Sequence, residues 1–135
     1  MEKKVCLVIG AGDATGGAIA RRFAREGYHT CMTRRVRHID ELEKLAERIR
    51  GEGGSATAFG SDAREEDEVI AMVDRIEKEI GPIEVAVFNI GANVNFSITE
   101  TTSRVYRKVW EMGCFAGFLL GREAARVMTP RGKGT

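Results

Sequence analysis

Short apolar runs alternate along the chain with stretches in which apolar side chains recur every three or four positions. Val5 to Ile9 reads as a first strand, and Ile19, Phe23 and Ala24 give the following segment a helical core face. Thr30 to Thr33 predicts a second strand. Ile39, Leu42, Leu45, Ala46 and Ile49 then repeat at helical spacing until Gly51 to Gly54. Ala56 to Phe59 predicts a third strand, and Val69, Met72, Val73, Ile76 and Ile80 a helix that Gly81-Pro82 stops. Val85 to Phe88, apolar at every position, predicts a fourth strand covered on both faces. From about Thr102 a single helical pattern runs to about Met128, with Gly113, Gly117 and Gly121 inside it.

This alternation implies right-handed crossovers and a parallel sheet. The fold class is therefore a doubly wound α/β sheet with helices on both faces, and ligand is expected at the carboxyl ends of the strands. A sheet truncated after about four strands would leave a flat apolar edge at Val85 to Phe88. It would also give the helix around Phe115, Phe118, Leu119 and Leu120 little sheet to cover. Both points imply a larger native object, through more chain or a partner.

Composition narrows the class. With 135 residues, 43% of them hydrophobic, one soluble domain can bury a core without cross-links. The 21 basic and 20 acidic residues leave a net charge of +1, which argues against nucleic-acid or membrane-surface partners. No apolar run is long enough to span a bilayer or to serve as a secretory core. Cys6, Cys31 and Cys114 have no metal or redox spacing and sit among apolar neighbours, as buried reduced thiols of a cytoplasmic protein would. His29 and His38 have no further ligand at metal-binding spacing and read as surface residues, so no metal is expected. Met72 and Met112 read as packing residues.

The chemistry lies in Gly10-Ala11-Gly12-Asp13-Ala14-Thr15-Gly16, between the first strand and its helix. Glycines let the backbone approach an anion, and unpaired N–H groups at a helix start point toward it. A strict G-x-G-x-x-G would need glycine at Thr15. The spacing Gly10-x-x-x-Ala14-x-Gly16 instead resembles the G-x-x-x-G-x-G turn of the short-chain dehydrogenase/reductase family, with alanine at the second glycine. Three further matches stay in register. Asp62-Ala63 resembles the family's Asp-Val contact with adenine, and Asn89-Ile90-Gly91 the end of its Asn-Asn-Ala-Gly element. Arg122-Glu123-Ala124-Ala125 is similar to the end of its long interface helix.

The resemblance covers nearly the whole chain. It implies that residues 1–135 form a single dinucleotide-binding, Rossmann-type domain, the N-terminal part of a longer one. The parent would move hydride between nicotinamide and a small-molecule carbonyl or secondary alcohol, and would form a dimer or tetramer. Gly10, Gly12, Asp13, Thr15 and Gly16 would cradle the pyrophosphate, with Asp13 also readable as a helix N-cap. Asp62 and Ala63 would meet adenine. Asn89 and Gly91 would shape the turn beside the nicotinamide ribose, Asn89 also being suited to bond neighbouring strand backbone.

Cofactor choice falls at the end of the second strand. An acidic residue there holds a ribose 2′-hydroxyl, whereas a guanidinium accommodates a 2′-phosphate. Positions 33–37 hold no acid and three arginines, Arg34, Arg35 and Arg37. Arg34 and Arg35 therefore predict NADP over NAD, although Asp13 occupies a turn position that is often basic in NADP-dependent members.

The family's proton-delivering serine and Tyr-x-x-x-Lys are absent: Tyr28 is followed four residues on by Met32, and Tyr106 by Trp110. Phe88 stands at the first asparagine of the Asn-Asn-Ala-Gly element, and Gly113 aligns with an asparagine that supports a proton relay. No catalytic residue is assigned, and the 135-residue chain alone is expected to be inactive. The alternative is a short or degenerate member that binds a dinucleotide or a partner protein without turnover. Substrate identity is not encoded in these motifs.

Overall fold

Five consecutive buried residues, Val5–Ile9, form β1 in the interior of a four-stranded parallel sheet. The structure, a computed structural model, describes residues 3–91 and 94–135. Beyond β1 come α1 (Thr15–Arg25), β2 (His29–Arg34), α2 (Ile39–Gly51), β3 (Ser55–Gly60), α3 (Glu66–Glu79) and β4 (Ile83–Phe88). Helices α4 (Ser103–Trp110) and α5 (Ala116–Arg131) follow. The strand order is β3-β2-β1-β4, with Leu7 paired to Cys31 on one side and Ala86 on the other.

The alternation of β1 side chains divides two cores. Cys6 and Val8 pack with Ala20 and Ala24 of α1 and Leu42, Ala46 and Ile49 of α2. Val5, Leu7 and Ile9 pack with Val73 and Ile76 of α3 and with Ala116 and Leu120 of α5. A strand covered on both faces has no polar face to show, which is why its sequence is continuously apolar. The expected doubly wound α/β architecture is the one observed.

The single helix expected from Thr102 to Met128 is two helices joined by a π-helical turn at Glu111–Phe115, with Gly113 inside it. Thr102 caps α4, its hydroxyl accepting from the Val105 N–H at 3.2 Å. The apolar stretch 114–120 divides. Leu119 and Leu120 are buried, whereas Phe118 stays 56% exposed, beside Phe115 and beneath the Arg122 guanidinium.

Two side-chain expectations are corrected. Cys114 is exposed, because the π turn carries it to the outer surface, while Cys6 and Cys31 are buried and burial pushes their thiols up to about 12. His29 is half-buried, bridging β2 to β3 through Ser55 Oγ at 2.9 Å and Thr57 Oγ1 at 2.8 Å. Burial, aided by Lys3 and Arg50, lowers its imidazole below the ordinary 6.5.

At the outer edge of β4, Thr135 makes a parallel backbone bridge. Its N–H donates to Glu84 and its carbonyl accepts from Ala86, both at 2.9 Å. Arg131 donates to the Glu77 carboxylate and to the Ile83 carbonyl, and Lys133 pairs with Glu84 at 3.1 Å. Among the described residues, no helix is long and apolar enough to cross a membrane.

Candidate functional site

The turn after β1 is shaped by backbone crowding at three glycines. Gly10 has φ +89°, and a Cβ on it would lie 2.5 Å from the Asn89 carbonyl oxygen. A Cβ on Gly16 would collide with the Gly10 carbonyl and lie 2.8 Å from Ala11 Cα. One on Gly17 would run into the Gly12 carbonyl, a requirement that the family spacing did not flag. Ala14, by contrast, is exposed, so its methyl does not strain the turn.

Asp13 is not the N-cap. Helix α1 starts at Thr15, so Ala14 takes the cap position and no side chain caps the helix. The first turn holds no acidic residue. Uncapped N–H groups and the positive end of the helix dipole therefore remain available to an anion.

A cleft of ≈ 300 Å³ opens at the carboxyl ends of the strands. Of the sequence candidates, Gly10, Gly12, Arg34, Arg35, Asp62, Ala63, Asn89 and Gly91 line it, together with Arg37, Arg64 and Met112. Gly16 is buried beneath the turn, and Asp13 and Thr15 are exposed on it. Asn89 ties two walls together: its N–H donates to the Ile9 carbonyl at 2.8 Å, and its Nδ2 donates to the Gly10 carbonyl at 3.1 Å.

The arginines at the end of β2 diverge. Arg34 Nη1 donates to Glu41 Oε2 at 2.9 Å, and Arg35 Nη2 reaches Met112 Sδ at 3.5 Å. Met112 thus meets the cleft rather than the core, carried there by the π turn. Asp62 is held by Arg64, whose Nε and backbone N–H donate to Oδ1 at 3.0 Å and whose Nη2 donates to Oδ2 at 2.7 Å. These bonds keep the Asp62 carboxyl below its ordinary value and raise the Arg64 guanidinium above its own. The Asp62 N–H donates in turn to Glu68 at 2.7 Å.

The two departures from the family pattern have different consequences. Phe88 packs over α5, its ring 3.3 Å from where a Cβ on Gly117 would sit. A Cβ on Gly113 would meet open space, so glycine is not sterically required there. Among the described residues, no group of histidine, cysteine and carboxylate side chains could hold a metal ion.

The sequence pattern of the short chain dehydrogenase family matches residues 4–135. The chain belongs to that family. Among solved structures, the chain is similar to a short-chain dehydrogenase from Rhodopseudomonas palustris, with a TM-score of 0.91 and 49% identity. That likeness covers 97% of this chain and 60% of the other. It is also similar to the F189W actinorhodin polyketide ketoreductase with NADPH, at a TM-score of 0.90 and 27% identity, a likeness that covers 99% of this chain and 52% of that one. The 2,3-dihydro-2,3-dihydroxybenzoate dehydrogenase of Bacillus subtilis is 27% identical over 135 residues, covering 100% of this chain and 51% of that protein. The chain spans about half the length of the curated relatives it matches.

Proposed function

We propose that the protein binds NADP(H) and serves an oxidoreductase that moves hydride between nicotinamide and a small-molecule carbonyl or secondary alcohol. The observation that carries this reading is the meeting, in one cleft, of a glycine-shaped turn at an uncapped helix start with the arginines that end β2. Residues 1–135 act as one dinucleotide-binding domain within that enzyme. The backbone around Gly10, Gly12, Asp13, Thr15 and Gly16 receives the pyrophosphate, where the glycines leave room for close approach. Arg34 and Arg35 receive the 2′-phosphate, and Asp62 and Ala63 the adenine. Asn89 holds the turn in position, beside Gly91. The bound nicotinamide supplies or accepts the hydride, and proton delivery falls to groups outside these residues.

The family likeness and the free, buried thiols of Cys6 and Cys31 support a cytoplasmic enzyme. Exposed Trp110 and Phe118 support a homo-oligomer formed through the α4–α5 surface. The test is NADPH fluorescence on the full-length protein with a panel of ketones. Tight NADPH binding with turnover is the expected result, and Arg34→Asp should reverse the preference toward NADH. A cofactor ratio unmoved by that change would remove the 2′-phosphate assignment. Binding without turnover would leave a nucleotide-binding protein with no reductase activity.

A further inference from the structure

Arg34 already holds an anion. Its Nη1 donates to Glu41 Oε2 at 2.9 Å, and its guanidinium lies against the glycine turn, 3.7 Å from the position of a Cβ on Gly12. Glu41 sits in the first turn of α2, seven residues beyond Arg34. It thus sets a carboxylate against Arg34 and His38, two residues that line the cleft, from just behind its wall, whereas positions 33–37 supply none. The same carboxylate lies 3.5 Å from His38 Nδ1, and its side chain is 59% exposed.

We infer that Glu41 narrows the preference of this cleft for NADPH over NADH by occupying Arg34 and opposing a 2′-phosphate, while offering an acceptor to a 2′-hydroxyl. The inference rests on the proposed placement of the 2′-phosphate at Arg34. A guanidinium has five N–H donors, so Glu41 leaves several for an incoming ligand. A 2′-phosphate at those donors brings about two negative charges to within a Debye length, about 8 Å, of the carboxylate. The carboxylate must then swing away or bear the repulsion. A 2′-hydroxyl brings no charge and can donate to the carboxylate. Glu41 therefore weakens NADPH binding selectively, and supplies from α2 the acidic group that Rossmann-type domains commonly carry at the end of β2.

A plain helix-dipole role for an acid in the first turn of α2 would give a small stability effect and no change in nucleotide ratio. Glu41→Gln distinguishes the two, since the amide oxygen can still accept from Arg34 and only the charge is lost. The experiment titrates NADPH and NADH against the full-length wild type, E41Q, R34Q and the double variant, following nucleotide fluorescence. E41Q is expected to tighten NADPH about fivefold, the scale of an exposed ion pair, and to leave NADH unchanged or weaker. The gain should vanish in the R34Q background, because Glu41 acts through Arg34. If R34Q weakens NADPH but E41Q leaves the NADPH:NADH ratio unchanged, the inference about Glu41 fails alone. If R34Q leaves NADPH binding intact, the 2′-phosphate is not at Arg34, and both readings fail.

Discussion

The side-chain amide of Asn89 donates to the Gly10 carbonyl at 3.1 Å, joining the end of β4 to the turn that follows β1. Asn89→Ala removes that donor and should cost about 1 kcal/mol of stability, a typical net value for one hydrogen bond. NADPH affinity should fall with it, since the turn loses its tie. Asn89→Asp should be worse than Ala on both measures, because a carboxylate has no N–H to offer and sets a charge against a carbonyl oxygen. Urea titration and nucleotide fluorescence on the same three proteins test the ranking.

Gly16 and Ala14 make a paired test of the turn. Gly16→Ala forces a methyl into the Gly10 carbonyl and Ala11 Cα, both backbone, and should destabilise by about 1–3 kcal/mol. Ala14→Gly, at an exposed cap position where glycine is preferred to alanine, should stabilise by up to about 1 kcal/mol and leave nucleotide binding equal or tighter. Weaker NADPH binding by the Ala14 variant would count against phosphate docking at this turn.

Phe88 and Gly117 should be energetically coupled. A methyl on Gly117 meets the Phe88 ring at 3.3 Å, so Gly117→Ala in the wild type sets a helix-propensity gain against crowding. With the ring removed in Phe88→Asn, the same substitution should recover the full gain of about 1 kcal/mol. A double-mutant cycle by thermal denaturation measures the difference, and additive effects would mean that the ring does not press on α5.

His29 should make stability fall on the acid side of neutrality. Its imidazole titrates below 6.5 in the folded protein because burial disfavours the charged form. As pH falls past 6.5 the unfolded chain therefore takes up the proton first. Stability should be full above that pH, decline as it drops, and level off once the folded imidazole is also protonated. In His29→Gln this slope should be absent when denaturant midpoints are followed from pH 8 to about pH 5.

The strands were legible because β1 and its neighbours are covered on both faces, so burial and sequence carry the same signal. Helix ends were less legible. Asp13 has the chemistry of a cap, yet the backbone crowding at Gly10, Gly16 and Gly17 delays α1 until Thr15. The π turn at Glu111–Phe115 left no mark, because apolar spacing across it stays close to helical. That also hid the outward exposure of Cys114 and the contact of Met112 with Arg35. At the site, local motifs found the cleft-lining residues at the ends of the strands. Glu41 and Arg64 were missed because their significance lies in partners, Arg34 and Asp62, that only the folded backbone brings to them.

The segment after α5 is held to β4 by the Thr135 bridge, the Lys133–Glu84 pair and the Arg131 hydrogen bonds. For a protease such as trypsin, Arg131 and Lys133 are cleavage positions whose side chains are engaged whenever the segment is docked. Cutting there requires the segment to lift from the strand first. When lifting and redocking are fast, the cleavage rate follows the open fraction of this edge, which can be far larger than the fraction of unfolded chain. Trypsin would therefore report on the outer edge of the sheet long before it reports on the core.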